Sequence, residues 1–419
     1  MPVWLSICLV ASLVLGVGAA VLFAVVIARR QLTVRRVPTL RAGLEMFERQ
    51  RSGGAPAPDV WIVVPAHNER EHLPTLIRSL RAQSYPGALR VVLALDRCTD
   101  DTQARAEEAI GGDARFTVLP ITQCPPGIAG KVNAVCTAVE QSGLLKGEHV
   151  LLFTDADTEF HPDCVRAAVG LLRERELGLL SLLSTYPVRH WYELIGQPVA
   201  GTELLRLFPL DRANRTVDQR PFANGQFLML TAQAYRHFGG HWAVTDALLE
   251  DIAMARRAAE TGVRTGIFLA DGLLICRMYE TWAEFRKGWK RIFAEAAGRK
   301  PERLRAMSLR MRGSLALLPP VSLAGMGLAL WAVLHGGWDT GGQALALATL
   351  ILCGVGSLLW LIATGLILRT GRVPIWAAPL FPVGAWLVAG IIGEIARDLA
   401  KGTPTEWAGR SYVLKRPQG

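Results

Sequence analysis

Two stretches place carboxylates where they can act together. In LLFTDADTEF (151–160), Asp155 and Asp157 stand one residue apart directly behind an apolar run. In LLED (248–251), Glu250 and Asp251 open the helical run IAMARRAAE. Carboxylates as close as Asp155 and Asp157 repel each other unless a cation stands between them. A hard divalent cation such as Mg²⁺ takes oxygen ligands and bridges readily to substrate phosphates. An acidic turn closing a strand would carry the same residues, so the pair alone does not decide. At Asp251, an acidic residue in a first helical turn is favoured by the helix dipole.

The elements around these residues narrow the choice. VWIVV (60–64) reads as a strand, and residues 69–83 as a helix, with Leu73, Leu76, Ile77 and Leu80 at helical spacing. VVLAL (91–95), FTVLP (116–120) and VLLFT (150–154) are further strands. Helices are expected at 98–109, where Thr99 and Asp100 can cap, and at 131–141. Strands alternating with helices specify an α/β fold with a mostly parallel sheet and helices on both faces. In such sheets ligands bind outside the carboxyl ends of the strands. His67, Asn68 and Glu69 follow the first strand, Asp96 the second, and Asp155 and Asp157 the fourth. Three polar sets therefore converge on one rim. No G-x-G-x-x-G follows the first strand and no G-x-x-x-x-G-K-[ST] occurs, which argues against dinucleotide and P-loop sites.

The rest of the chain reads as membrane. Residues 3–27 are 25 consecutive uncharged, mostly apolar positions, enough to cross a hydrocarbon core of about 30 Å as a helix. With no basic residue before the run and no small-residue cleavage site after it, an uncleaved anchor is expected. Three more uncharged runs follow: Ser314–His335, Gln343–Leu368 and Val373–Gly393. Arg29, Arg30, Arg35 and Arg36 follow the first span, and Arg299–Arg312 precedes the second, so the region between belongs in the cytoplasm. The basic tail (Lys401, Arg410, Lys415, Arg416) belongs there too, so one proline-bearing C-terminal run is expected to dip in without crossing. The formal charge of +10 is explained by arginines beside these spans, facing anionic lipid rather than nucleic acid. Seven scattered cysteines without a C-x-x-C pair suit a reducing compartment. The expected order is an anchor (1–30), a basic linker (31–58), a cytoplasmic α/β domain (59–280), an interfacial region (281–312), membrane segments (313–396) and a cytoplasmic tail (397–419).

VVPAHNE (63–69), LDRCTDDT (95–102), GKVNA (130–134), DAD (155–157), NGQFLML (224–230) and LLED occur in one order. In that order they resemble the family 2 glycosyltransferases of GT-A fold, which are inverting. Flanked by membrane spans, they are similar to ceramide glucosyltransferases and to bacterial carotenoid and hopanoid glycosyltransferases. EWAGRSY (406–412) is similar to the W-x-G-R-x-Y tail of those enzymes. The resemblance implies that Pro65, His67, Glu69 and Asp96 hold the uridine of a UDP-sugar, with Lys131 beside the base or diphosphate. It implies that Asp155 and Asp157 hold Mg²⁺ or Mn²⁺ and that Asp251 is the general base. Relatives carry Q-x-x-R-W after the base; here the stretch is FRKGW (285–289), which keeps Trp289 and leaves Arg286, Lys290 or Arg291 to supply the charge. The function implied is transfer of a sugar from UDP to a lipid acceptor at the inner membrane. A processive polysaccharide synthase is the alternative, disfavoured by few spans and the broken motif. A non-catalytic scaffold would have no use for Asp155, Asp157 and Asp251.

Overall fold

The computed structural model describes all residues except 246, 248, 402–404, 408–409 and 413–419, so Leu248 and much of the tail motif lie outside the described residues. The chain forms two compact units. One comprises Arg35–Pro187 and Phe208–Met278, the other Met1–Val34, Val188–Leu207 and Tyr279–Gly419.

The first unit is built on strands β1 (Val60–Ala66), β2 (Leu89–Asp96), β3 (Phe116–Ile121), β4 (Val150–Phe153), β5 (Thr158–Phe160), β6 (Leu179–Leu183), β7 (Leu228–Thr231), β8 (Thr265–Leu269) and β9 (Leu274–Cys276). Seven of them make one sheet in the order β3-β2-β1-β4-β7-β6-β8, and β5 pairs with β9 in a small ribbon. The pairs of β1 with β2 and β4, and of β2 with β3, are parallel. Only β7 runs against its neighbours β4 and β6. This is the mostly parallel α/β sheet expected. Val60, Ile62, Val63 and Val64 of β1 are fully buried, as a central strand covered on both faces requires. β3 is half-exposed and carries Pro120, which an edge strand tolerates.

Leu73, Leu76, Ile77 and Leu80 are the buried stripe of the helix Leu73–Arg81. That helix and Thr102–Ile110 both begin later than the periodicity suggests. Asn68 and Arg97 take positive φ (56° and 48°), so the chain turns after β1 and β2 before any helix can start. Within the stretch expected as linker, Ala42–Ser52 is helical and lies against the helix Cys164–Glu174. The two axes approach closely because both contact points are glycine. A Cβ on Gly43 would lie 2.0 Å from the Ala167 carbonyl oxygen, and one on Gly170 would lie 2.2 Å from that of Gly43.

β1, β2 and β3 step to one side and β4 returns to the other side of β1. The crevice between the carboxyl ends of β1 and β4 is therefore the topological switch point, where open α/β sheets bind ligands.

The second unit is helical apart from a short antiparallel pair, Thr405–Trp407 with Arg410–Tyr412. Val3–Arg36, Pro301–Leu334, Thr340–Thr370 and Ile375–Lys401 are each long and apolar enough to cross a membrane. Among the described residues, one such helix is N-terminal and three are C-terminal. Leu5, Leu9, Ala329, Ala332 and Ala346 pack at one end of the first three, and Ala19, Phe23, Trp360 and Ala363 pack further along. The helices Gln197–Leu207 and Trp282–Ala296 belong to this unit as well.

Candidate active site

Asp155 and Asp157 leave the end of β4 in a turn that is itself tied down. Thr154 donates its hydroxyl to the Gln226 carbonyl (2.7 Å), Thr158 donates to the Asp155 carbonyl (2.8 Å), and the Arg277 N–H donates to the Asp157 carbonyl (3.0 Å). The turn is thus held by the loop before β7 and by the residue after β9. Asp157 Oδ1 is buried and has no hydrogen-bond partner. Burial, then the charge of Asp155, push the Asp157 carboxyl up to about 6. Glu69, after β1, is pushed up to about 7 by burial and then by Asp157, Asp155 and Asp100. These carboxylates share one field and destabilise one another's charge.

A lysine partly relieves them. The helix Gly130–Gln141 carries Lys131, whose Nζ lies 2.7 Å from Asp155 Oδ1 and 2.6 Å from Glu250 Oε1. Burial opposes the Lys131 charge, but Asp155 and Glu250 outweigh it and hold the ammonium form above its ordinary range. Asp251 is oriented by two backbone donors: the Gly225 N–H to Oδ2 (2.8 Å) and the Ile252 N–H to Oδ1 (2.7 Å). Burial, then Glu250, push the Asp251 carboxyl up to about 6, against the pull of Lys131 and of those N–H groups. Pro65, Lys131, Asp155, Gly225, His241 and Glu250 line one small cavity. A Cβ on Gly225 would stand 3.0 Å from Lys131 Nζ, so glycine keeps this space open. His241 bonds the Tyr235 hydroxyl (2.9 Å) and burial lowers its pKa to about 3, so it is a neutral wall of the cavity.

The β1 and β2 ends are latched to each other. His67 Nδ1 lies 2.6 Å from the Asp96 carbonyl oxygen, and the Thr99 N–H donates to Asn68 Oδ1 at 2.8 Å. The Asp96 carboxylate takes a two-point contact from Arg97, Nε to Oδ1 at 2.9 Å and Nη2 to Oδ2 at 2.7 Å. Gly130 permits this, because a Cβ there would stand 2.6 Å from Asp96 Oδ2.

Among the expected site residues, Pro65, Lys131, Asp155 and Asp251 therefore surround one cavity or touch its lining residues. Glu69 and Asp157 share their field, and His67 is joined to Asp96 on the same rim. Trp289 and Arg291 lie in the helical unit. Trp289 is buried there, donating its indole N–H to Gln197 Oε1 (3.0 Å) between Phe285 and Phe293. Arg286 and Lys290 pair with Glu394, and Lys290 also with Asp398. Sequence reasoning missed Arg97, the Gly225 N–H and the link from Lys131 to Glu250. GKVNA and NGQF held a signal for the last two, since glycine beside a charged or polar residue marks close approach.

The residues that could hold a divalent cation are Asp155 and Asp157, and the orphaned Asp157 oxygen fits that use. Mg²⁺ is commonly bound by one or two carboxylates with the remaining positions left to water and substrate phosphates. Among the described residues no group of three His, Cys, Asp or Glu forms a complete cage.

A mostly parallel sheet with this acidic rim at its switch point is a GT-A-like arrangement. Residues 61–237 match the model of glycosyl transferase family 2, and residues 150–389 match that of glycosyl transferase family group 2. The chain belongs to this glycosyltransferase family. It is similar to the 4,4'-diaponeurosporenoate glycosyltransferase of Staphylococcus haemolyticus (strain JCSC1435), 23% identical over 303 residues, covering 70% of this chain and 74% of that protein. Among solved structures it is similar to the mannosyltransferase PcManGT from Pyrobaculum calidifontis in complex with GDP-Man and Mn²⁺. That match is 18% identical, covers 80% of this chain and 99% of the other, and has a TM-score of 0.41. Residues 1–349 of S. aureus TarS in complex with UDP-GlcNAc match at 13% identity over 86% of this chain and 97% of that fragment, with a TM-score of 0.40.

Proposed function

We propose that this glycosyltransferase moves a sugar from a UDP-sugar to a lipid acceptor at the cytoplasmic face of the inner membrane, with inversion at the anomeric carbon. The observation that carries the reading is the convergence of Lys131, Asp155 and Glu250 on one cavity at the sheet's switch point, with Asp251 bonded to its lining residue Gly225. Pro65, His67, Glu69 and Asp96 form the uridine side. Lys131, held between Asp155 and Glu250, is the positive charge beside the diphosphate. Asp155 and Asp157 hold Mg²⁺ or Mn²⁺, which, when bound, neutralises charge on the departing UDP.

Asp251 accepts the acceptor hydroxyl's proton while the hydroxyl oxygen displaces UDP from the far side of the sugar in one step. The two N–H groups on Asp251 fix its direction, and its raised pKa makes it a better base than a solvated aspartate. A lipid carboxylic acid is already ionised near neutral pH, so this base has work to do only for a hydroxyl. The matched relative is named for a carotenoid carboxylate, which supports an apolar lipid as acceptor but not a hydroxyl as its reacting group, and the four long apolar helices support a membrane setting. Trp289 and Arg291 receive a donor-binding role from the motif resemblance alone. The test is incubation of the purified full chain with labelled UDP-glucose, UDP-galactose or UDP-N-acetylglucosamine and a lipid extract. Label entering a single-sugar lipid supports the reading; a long glycan, or no lipid product with any donor, overturns it.

A further inference from the structure

Four helices are long enough to cross, yet the fourth has neighbours that do not belong in hydrocarbon. The N-terminal helix Val3–Arg36 and the helix Thr340–Thr370 end together, with Arg30 donating to the Thr370 hydroxyl at 2.7 Å. At their other ends the Met1 ammonium lies 3.8 Å from Asp339. Thr340–Thr370 therefore returns the chain to the arginine-bearing side of the first span. Only residues 371–374 then precede Ile375.

From there the chain does not turn back along the apolar helices. Phe381–Lys401 runs antiparallel beside Pro301–Met311 and the π-type turn Arg312–Leu317. Arg312 lies over the Trp386 ring at 5.0 Å, Ser308 donates to the Ala389 carbonyl at 2.7 Å, and a Cβ on Gly393 would meet the Ser308 hydroxyl at 3.2 Å. That partner segment carries Arg303, Arg305, Arg310 and Arg312. Arg310 is itself bonded to Glu203, a buried carboxylate that also holds Arg206. Further along, Glu394 bridges Arg286 and Lys290, and Asp398 takes Lys290. Arginines at bilayer depth are costly and rare. A helix whose register is set against this many of them belongs outside the hydrocarbon.

Its exposed face shows what it meets instead. Ile375, Trp376, Val383 and Trp386 stand out from the protein, Trp376 by 68%, while Ala385, Val388, Ala389 and Ile392 are buried against neighbours. Arg397 and Lys401 follow at the exposed end. Aromatic and aliphatic residues followed by basic ones form the pattern of a helix lying at the headgroup boundary.

We propose that Ile375–Lys401 does not cross the bilayer but rests on the leaflet at which the first span ends, with Trp376, Val383 and Trp386 at the headgroup–acyl boundary. The chain then crosses three times, and its C-terminus returns to the side of Arg30. The inference rests on the membrane reading but not on the donor, the acceptor or the base, so its test succeeds or fails independently of catalysis.

The experiment places a reporter after Gly419 of the full chain and, separately, within the turns at Gly112 and Gly337. The Gly419 and Gly112 reporters are expected on one side and the Gly337 reporter on the other. Gly419 and Gly337 together on one side would overturn the proposal, as would Gly112 and Gly337 together. A second readout is the depth of spin labels at Val383→Cys and Trp386→Cys, in a chain with Cys8, Cys98 and Cys124 replaced by Ser, in vesicles of phosphatidylcholine and phosphatidylglycerol. Both labels should sit about 5–10 Å inside the headgroup boundary; a label at the bilayer centre would overturn the proposal.

Discussion

The Gly225 backbone N–H donates to Asp251 Oδ2 at 2.8 Å, so the loop before β7 holds the carboxylate that opens the helix Glu250–Glu260. Asp251→Asn keeps the size but loses the proton-accepting oxygen, and its NH₂ would face an N–H donor. Turnover should fall by about 10²–10⁴-fold, the usual span of general acid–base catalysis, with UDP affinity little changed. Glu250→Gln removes a charge from the same first helical turn and should cost less. Equal losses, or an Asp251→Asn defect confined to UDP binding, would move the base elsewhere.

The pH dependence follows from burial. Burial and Glu250 push the Asp251 carboxyl up to about 6, and as the proposed base it would work only when ionised, so kcat/KM should rise with pH through about 6 and fall away on the acid side. Lys131 is the nearby cation that favours the ionised form. In Lys131→Met the carboxylates lose that support, their pKa values rise, and the acid limb should move to higher pH. A rate profile under saturating metal checks this; a limb that stays put or moves down contradicts the assignment.

Asp157→Ala should abolish transfer and also weaken Mn²⁺ retention in the presence of UDP, read by electron paramagnetic resonance. Wild-type activity should disappear in excess EDTA and return with Mg²⁺ or Mn²⁺. Undiminished turnover in EDTA would reject the role given to this pair.

Gly170→Ala tests packing rather than chemistry. Its new methyl would meet the Gly43 carbonyl oxygen at 2.2 Å and the Phe47 Cβ at 2.8 Å. The two helices must part, at a cost of about 1–3 kcal/mol typical of overpacking. The melting temperature should drop while turnover per folded molecule is unchanged.

Trp289→Phe separates two roles for one ring. It removes the N–H that meets Gln197 and leaves that amide oxygen unpaired, worth about 1–3 kcal/mol of stability. If Trp289 also serves the donor, KM for the UDP-sugar should rise as well. A lower melting temperature with an unaltered KM would make it a packing residue only.

Much of the sheet unit is legible in the sequence. β1, β2 and β4 are apolar runs buried on both faces, and each ends in polar residues that the parallel order brings together. β7 was not legible as an antiparallel insertion, because four residues carry no sign of strand direction. Nor was the grouping of Val188–Leu207 with the C-terminal helices, which depends on partners such as Trp289 and Arg310 about a hundred positions away. At the site, residue types were informative and pairings were not. The sequence places Lys131 in a helix start and Glu250 in another, but only the fold shows that one ammonium serves Asp155 and Glu250 together. Arg97 beside Asp96 was hidden for a different reason: adjacent residues on an extended strand point apart, and it is the positive φ of Arg97 that turns it back.

The first apolar helix is more than a tether. Gly16 lies so close to the helix Thr340–Thr370 that an added Cβ would be 2.9 Å from the Cys353 backbone nitrogen. One on Gly356 would be 2.8 Å from the Gly16 carbonyl oxygen, and one on Gly325 would be 2.7 Å from the Ser12 Cβ. Small residues at such crossings allow the backbone contact that holds helices together in lipid, where no hydrophobic effect drives them. Exchanging residues 1–30 for a generic leader, or deleting them to obtain a soluble enzyme, would remove a wall of the helical unit and leave a groove of glycine backbone open to lipid. Any truncation for biochemical work should therefore keep this helix or co-express it as a separate fragment.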